Sequence, residues 1–360
     1  MVSASSRLFK AGAVFAGGAV LVILFVTVYQ GKSQQKPELG KRSFEFTYNL
    51  TVKHIPENAE TIKAWVPVPA VSRSQQLHFI QVEGSWPWKT VTEPVDGNSY
   101  MLFDLSANSA GDDSQRQVSI VFGLTRFASR PLEYDSDPEK LSARQTRLYL
   151  SPTQLVPVDG PIAAEARRVA GTAEKQIDKA KMIFKNIVNT FRYDKRGSGW
   201  GRGDAQYAYD VRKGDSTDFT SLLIAELRSL EIPARFIMGF IFPENSSGKI
   251  DDYHCWAEFY IEGKGWLPAD AAQASTNPSR HQQFFAALDE NRVAFTVGRD
   301  IELPGSTLKP VNFSIYPTVE IDGKEHTKLE TSFSFKDSEM SQKTISAILS
   351  KKIKINEKLK

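Results

Sequence analysis

Three short stretches carry side chains that together can do acyl chemistry. Lys213-Gly214-Asp215-Ser216-Thr217-Asp218-Phe219 supplies a hydroxyl, Tyr253-His254-Cys255-Trp256-Ala257-Glu258 an imidazole, and Gly265-Trp266-Leu267-Pro268-Ala269-Asp270 a carboxylate. A nucleophile, a base that takes its proton and a carboxylate that orients the base are the working parts of covalent acyl transfer. Ser216, His254 and Asp270 are therefore the candidate catalytic residues. Cys255 is a poor substitute nucleophile, because strand alternation points it to the face opposite His254. It reads as a small buried hydrophobe. As the single cysteine of 360 residues it excludes an intrachain disulfide and a multi-cysteine zinc site.

The elements that must position these groups are legible around them. From 217 to 230, Phe219, Leu222, Leu223, Leu227 and Leu230 fall on one face of an amphipathic helix, which ends at Glu231-Ile232-Pro233. Asp215 or Ser216 caps its start, and Asp218 suits the positive end of the helix dipole. Ser216 thus meets unpaired backbone N–H groups, which would lower a thiol pKa there and receive an oxyanion. The plain alternative is that Ser216 is an ordinary N-cap. Residues 253–260 and 264–270 read as a hairpin around Ile261-Glu262-Gly263. This register pairs Tyr260 with Lys264 and sets His254 directly opposite Asp270, about 5 Å apart on one face.

Elsewhere the chain is ordinary in bulk, with 41% apolar residues, 24% charged residues and a net charge of +3. No basic, aromatic-interleaved patch indicates nucleic acid, and His54, His78, His254, His281 and His326 lack metal-ligand spacing. Residues 11–29 form an uninterrupted stretch of apolar, small and Thr residues after Arg7 and Lys10. A helix of that length spans ~28 Å, close to a bilayer core. An uncleaved signal anchor at 1–30 is preferred over a cleaved signal or a buried helix, and it places the body outside the cytoplasm. A linker follows at 31–42.

A β-sandwich-like domain at 43–135 is expected from strands near 44–52, 61–66, 77–82, 100–105 and 118–125. Helices are expected at 161–170 and 174–191, the second with Ile177, Ala180, Phe184, Ile187, Val188 and Phe191 on its buried face. Gly197-Ser198-Gly199-Trp200-Gly201-Arg202-Gly203-Asp204 lacks both nucleotide-binding glycine patterns and reads as a flexible cleft wall. No cofactor is called for. Strands at 311–321 and 329–335 occupy a C-terminal segment, 301–336. The tail, 337–360, carries six lysines (343, 351, 352, 354, 358, 360), a solvated end or a contact for anionic lipid.

The order of the three stretches resembles the transglutaminase-like superfamily. Its papain-like core carries cysteine at a helix start, histidine in an H-x-W strand and aspartate at the end of the next strand. The resemblance is strong over 163–300 and implies an α+β fold, a β-domain followed by a core at 136–300. Ile55-Pro56-Glu57-Asn58-Ala59 and Ala64-Trp65-Val66-Pro67-Val68-Pro69 are similar to the β-domain that often precedes bacterial members. The resemblance makes Ser216 stand where the family has cysteine, and Thr220 where the nearest subgroup has histidine. An alcohol is far less acidic than a thiol and needs a base aimed at its oxygen. The reading adopted is a membrane-anchored, non-catalytic protein with a retained cleft for a peptide or protein ligand, flanked by Trp200 and Trp256. The alternatives are an active amide hydrolase or acyl transferase using Ser216, His254 and Asp270, and an envelope scaffold acting through the β-domain.

Overall fold

Alternating side chains fold the N-terminal third into strands. The computed structural model describes residues 21–22, 40–106, 116–129 and 140–341. Strand β1 (Lys41–Val52) buries Phe44, Phe46, Tyr48, Leu50 and Val52 and leaves the residues between them partly open, as a two-residue period requires. It is followed by β2 (Ile62–Pro67), β3 (Gln75–Glu83), β4 (Trp88–Thr92), β5 (Ser99–Asp104) and β6 (Gln117–Phe127). The short β4 lacks a buried residue, so it has no alternation by which a sequence would announce it.

The middle of the chain is mixed. Helices α1 (Ala143–Leu150), α2 (Gly160–Ala170), α3 (Gln176–Thr190) and α4 (Ala205–Val211) lead to α5 (Ser216–Ser229). Strands β7 (Ala234–Ile241), β8 (Ser247–Ile250), β9 (His254–Ile261) and β10 (Gly265–Ala269) follow, then α6 (Ala271–Thr276) and β11 (Arg292–Val297). An antiparallel sheet in the order β10-β9-β7-β11 carries α5 on one face. Helix α5 differs from the amphipathic expectation, since every residue from Ser216 to Arg228 is buried. It packs on β9 and β7 and also against α2, α3, α4 and α6. A helix enclosed on all sides leaves its polar side chains only protein partners. Arg228 donates through Nε and Nη2 to the Ala234 carbonyl at 3.0 and 2.7 Å.

The last strands, β12 (Thr318–Ile321) and β13 (Leu329–Asp337), return to the sandwich. β13 pairs with β1 from Leu329↔Val52 to Asp337↔Phe44, and β12 pairs with β2. One sheet runs β3-β6-β1-β13-β8, and the other is built on β12-β2-β5-β4. The C-terminal strands thus complete the β-domain rather than forming an appendage, and β8 extends the same sheet from within the core region. Pairing partners this far apart leave no mark in local sequence.

The two layers share one hydrophobic core. Phe46 packs on Phe240 and Phe295 at centroid distances of 5.3 and 5.2 Å, and Phe44 meets Phe242 edge-on at 4.8 Å. Buried Gln75 mimics a strand, donating to the Ala294 carbonyl at 2.7 Å and accepting from its N–H at 2.8 Å. Arg42, expected in the linker, is instead in β1. Its guanidinium bonds Asp337, Asn291 and the Pro243 carbonyl, each at 2.8 Å, and lies over Phe242 and Phe335. Of the expected anchor, only Leu21–Val22 is described, paired with β3, and the rest lies outside the described residues, as does the lysine tail beyond 341. No helix among the described residues is long and apolar enough to cross a membrane.

Candidate active site

Asp215, not Ser216, caps α5. Its Oδ1 accepts from the N–H groups of Thr217 and Asp218 at 2.8 and 3.4 Å and from the Thr217 hydroxyl at 2.6 Å. The Asp218 carboxylate reaches back to the Asp215 N–H at 3.1 Å, closing a capping box. Ser216 is therefore the first helical residue. Two of the N–H groups expected to await an oxyanion are already taken by the cap.

Asp218 also ties the glycine-rich loop to the helix start. It accepts from Gly201 N–H at 2.8 Å and Gly203 N–H at 3.1 Å. Both glycines lie at positive φ, +83° and +61°, where a side chain would be strained. Burial, reinforced by the Asp215 charge, pushes the Asp218 carboxyl up to about 6, against the pull of the Gly201, Asp215 and Gly203 N–H groups. From the other side, buried Arg299 donates to the Gly203 carbonyl and the Ser221 hydroxyl, each at 2.6 Å. The loop is a clamped wall, in contrast to the flexible one expected.

The hairpin brings His254 and Asp270 together by a route one step from that expected. The loop is Glu262-Gly263-Lys264, so Ile261 pairs with Gly265 and Tyr260 with Trp266. Sliding the loop by one residue moves the register by two, which preserves the faces. The paired region stops at Ala269, and Asp270 turns out of it as the N-cap of α6, accepting from Gln273 N–H at 2.9 Å. His254 Nε2 lies 2.7 Å from Asp270 Oδ2. An ionised carboxylate only accepts, so Nε2 carries the proton. Burial raises the Asp270 carboxyl, but the His254 imidazole, Arg292 and the Gln273 N–H outweigh it and hold the group below its ordinary value.

Ser216 is 2% exposed, His254 6% and Asp270 0%. The Cys255 thiol donates to Thr220 Oγ1 at 3.6 Å. Cys255 is fully buried, and burial, followed by the Asp215 charge, pushes its thiol well above its ordinary value. A buried neutral thiol is a weak nucleophile. Cys255 thus faces α5.

The two tryptophans separate. Trp200, partly exposed on the clamped loop, donates to the Gly197 carbonyl at 3.0 Å and has the Lys195 ammonium 5.8 Å from its ring. Trp256 is 1% exposed and sits beneath the Arg292 guanidinium at 5.1 Å. It belongs to the core behind the dyad, which removes it from the substrate wall.

Three contributors went unread in the sequence. Tyr253 donates to Asp215 Oδ2 at 3.0 Å, linking β9 to the helix cap. Gln273 and Arg292 complete the surroundings of Asp270. The only signal for Arg292 was a charge heading the apolar strand Arg292-Val293-Ala294-Phe295.

Comparison with known proteins bears on the fold. The family model described as the transglutaminase-like superfamily matches residues 163–271, a span that holds Ser216, His254 and Asp270. An uncharacterized protein of Haemophilus influenzae is 26% identical over 320 residues, covering 78% of this chain and 85% of that one. The uncharacterized Bacillus subtilis protein YebA is 26% identical over 224 residues, 57% of this chain and 30% of its own length. Among solved structures, a candidate cysteine protease from Cytophaga hutchinsonii superposes with a TM-score of 0.55 at 17% identity, covering 85% of this chain and 93% of that one. The chain therefore carries a transglutaminase-like domain within an α+β fold of strand-rich and papain-like parts.

Proposed function

We propose that this protein is a membrane-anchored, non-catalytic member of the transglutaminase-like group that uses its cleft region to hold a peptide or protein ligand. The observation that carries this reading is the burial of Ser216, 2% exposed, at a helix start whose Thr217 and Asp218 N–H groups are already given to Asp215. An alcohol becomes a nucleophile when a base is aimed at its oxygen in a site that substrate can reach, and here the hydroxyl is enclosed in the core. Partly exposed Trp200, on the loop fixed by Asp218, is the side chain placed to meet a ligand. The body lies outside the cytoplasm, held by the apolar stretch at 11–29.

One observation favours a second reading, an amide hydrolase or acyl transferase. The His254–Asp270 pair keeps the 2.7 Å contact that such chemistry needs. Assay of the full-length protein on ester and amide substrates separates the two. No turnover is expected, and hydrolysis that vanishes in Ser216→Ala at unchanged stability would overturn the non-catalytic reading. For the anchor, the protein is expected to remain with membranes through a high-salt wash, and removal of residues 1–30 to release it.

A further inference from the structure

Asp270 Oδ2 serves two partners at once. It lies 2.7 Å from His254 Nε2 and 3.2 Å from Arg292 Nη1. Arg292 is fully buried, and its fork is fixed at every arm. Nη2 donates to Gln273 Oε1 at 2.7 Å, Nε to Asp289 Oδ1 at 3.4 Å, and the plane covers the Trp256 ring. Gln273 is also the residue whose N–H is received by Asp270 Oδ1, so arginine and carboxylate share one scaffold.

In a nucleophile–histidine–aspartate set, the carboxylate stabilises the imidazolium formed as the nucleophile loses its proton. That stabilisation needs an unspent negative charge. Here a guanidinium sits on the same oxygen, in an interior where charges interact strongly. The other charges nearby do not restore the balance. Asp289 is partly solvated, with its side chain 22% exposed, and Glu258 is paired with Arg235 at 2.6 Å. Arg126 of β6 adds a second buried positive charge within the influence of Arg292. Asp215 lies on the far side, bonded to Tyr253, with neutral Cys255 beside it.

We propose that Arg292 is a positioning residue that draws on the Asp270 charge an imidazolium at His254 would otherwise receive, a restraint on the site separate from the serine at 216. The proposal deepens the non-catalytic reading but rests on the dyad alone. Arg292 touches no reacting atom and acts through Asp270.

The test is an NMR titration of the histidines in the full chain, with the His254 signal identified by its loss in His254→Ala. Arg292→Gln is expected to raise the His254 midpoint by about one pH unit, and Arg292→Lys, which retains the charge, to leave it within a few tenths. Asp289→Asn strengthens the hold of Arg292 on Asp270 and is expected to lower the midpoint. A midpoint that stays or falls in folded Arg292→Gln overturns the proposal. If that variant does not fold, an unmoved midpoint in Asp289→Asn overturns it instead. In a second arm, the thiol of Ser216→Cys is alkylated at about pH 6 with and without Arg292→Gln. Roughly tenfold faster reaction in the double variant is expected, from greater imidazolium stabilisation of the thiolate. A shifted midpoint with unchanged alkylation upholds the role of Arg292 and shows instead that position 216 is not coupled to the dyad.

Discussion

Asp270 and Glu226 are both fully buried carboxyls in the same core, and they behave oppositely. Asp270 has an imidazole, a guanidinium and a backbone N–H, and its carboxyl is held below its ordinary value. Glu226, in the third turn of α5, has no hydrogen bond to either oxygen, and burial, with Glu165 nearby, pushes it up to about 8. Burial alone therefore does not decide the state of an acid. Its partners do. The chain has surrounded one carboxyl with cationic and N–H partners at its candidate site and tolerates the other as a neutral acid inside a helix.

The largest expected effect comes from dismantling the satisfied side. Asp270→Ala leaves Arg292 charged and buried without its main partner, and is expected to cost about 3–5 kcal/mol in urea unfolding. Because the folded Asp270 is held low, its contribution is present above the unfolded carboxylate value and is lost as pH falls through the folded one. Glu226 runs the other way. Its neutral form is compatible with folding below about 4.5, and stability declines as pH rises from there to about 8. Glu226→Met is expected to stabilise the protein by about 3 kcal/mol at pH 7 and by little at pH 4. A flat difference between the two pH values would show that the acid is ionised in place and partnered.

A smaller pair of variants divides the helix start. Asp215→Ala removes the acceptor of two N–H groups and the Tyr253 hydroxyl, and is expected to cost about 1–2 kcal/mol. Ser216→Ala removes a hydroxyl that does not cap the helix, and a change within about 0.5 kcal/mol is expected. Equal costs for the two would return the capping role to Ser216.

What was legible in the sequence had local causes. The strand alternation of β1, the proline that ends α5 and the meeting of His254 with Asp270 all follow from spacing over a few residues. Even the mistaken hairpin register kept the right faces, because a slide of two preserves parity. What was hidden depended on remote neighbours. Leu222 and Leu223 suggested a one-sided helix, but polar Thr217, Ser221 and Glu226 are buried as well, since other helices close over them. Trp256 looked like a binding side chain until Arg292, 36 positions later, covered it. Arg292 itself became visible only when β11 laid it against α6.

The pairing of the first and last strands governs how the chain can acquire its shape. Phe44 lies beside Asp337 across nearly the whole described length, so the sheet cannot close during synthesis until the final strand has emerged. Contacts of such separation are slow to form, because the ends must find each other before any pairing rewards them. During that interval β1 exposes an unpaired edge and a row of five large apolar side chains. The same adjacency makes the body a candidate for circular permutation, with Asp337 joined to Lys41 by a short linker and new ends opened at the exposed Glu262-Gly263 turn. A permuted chain would make its β1–β13 pairing a local hairpin, and should refold faster than the natural order while reaching the same structure.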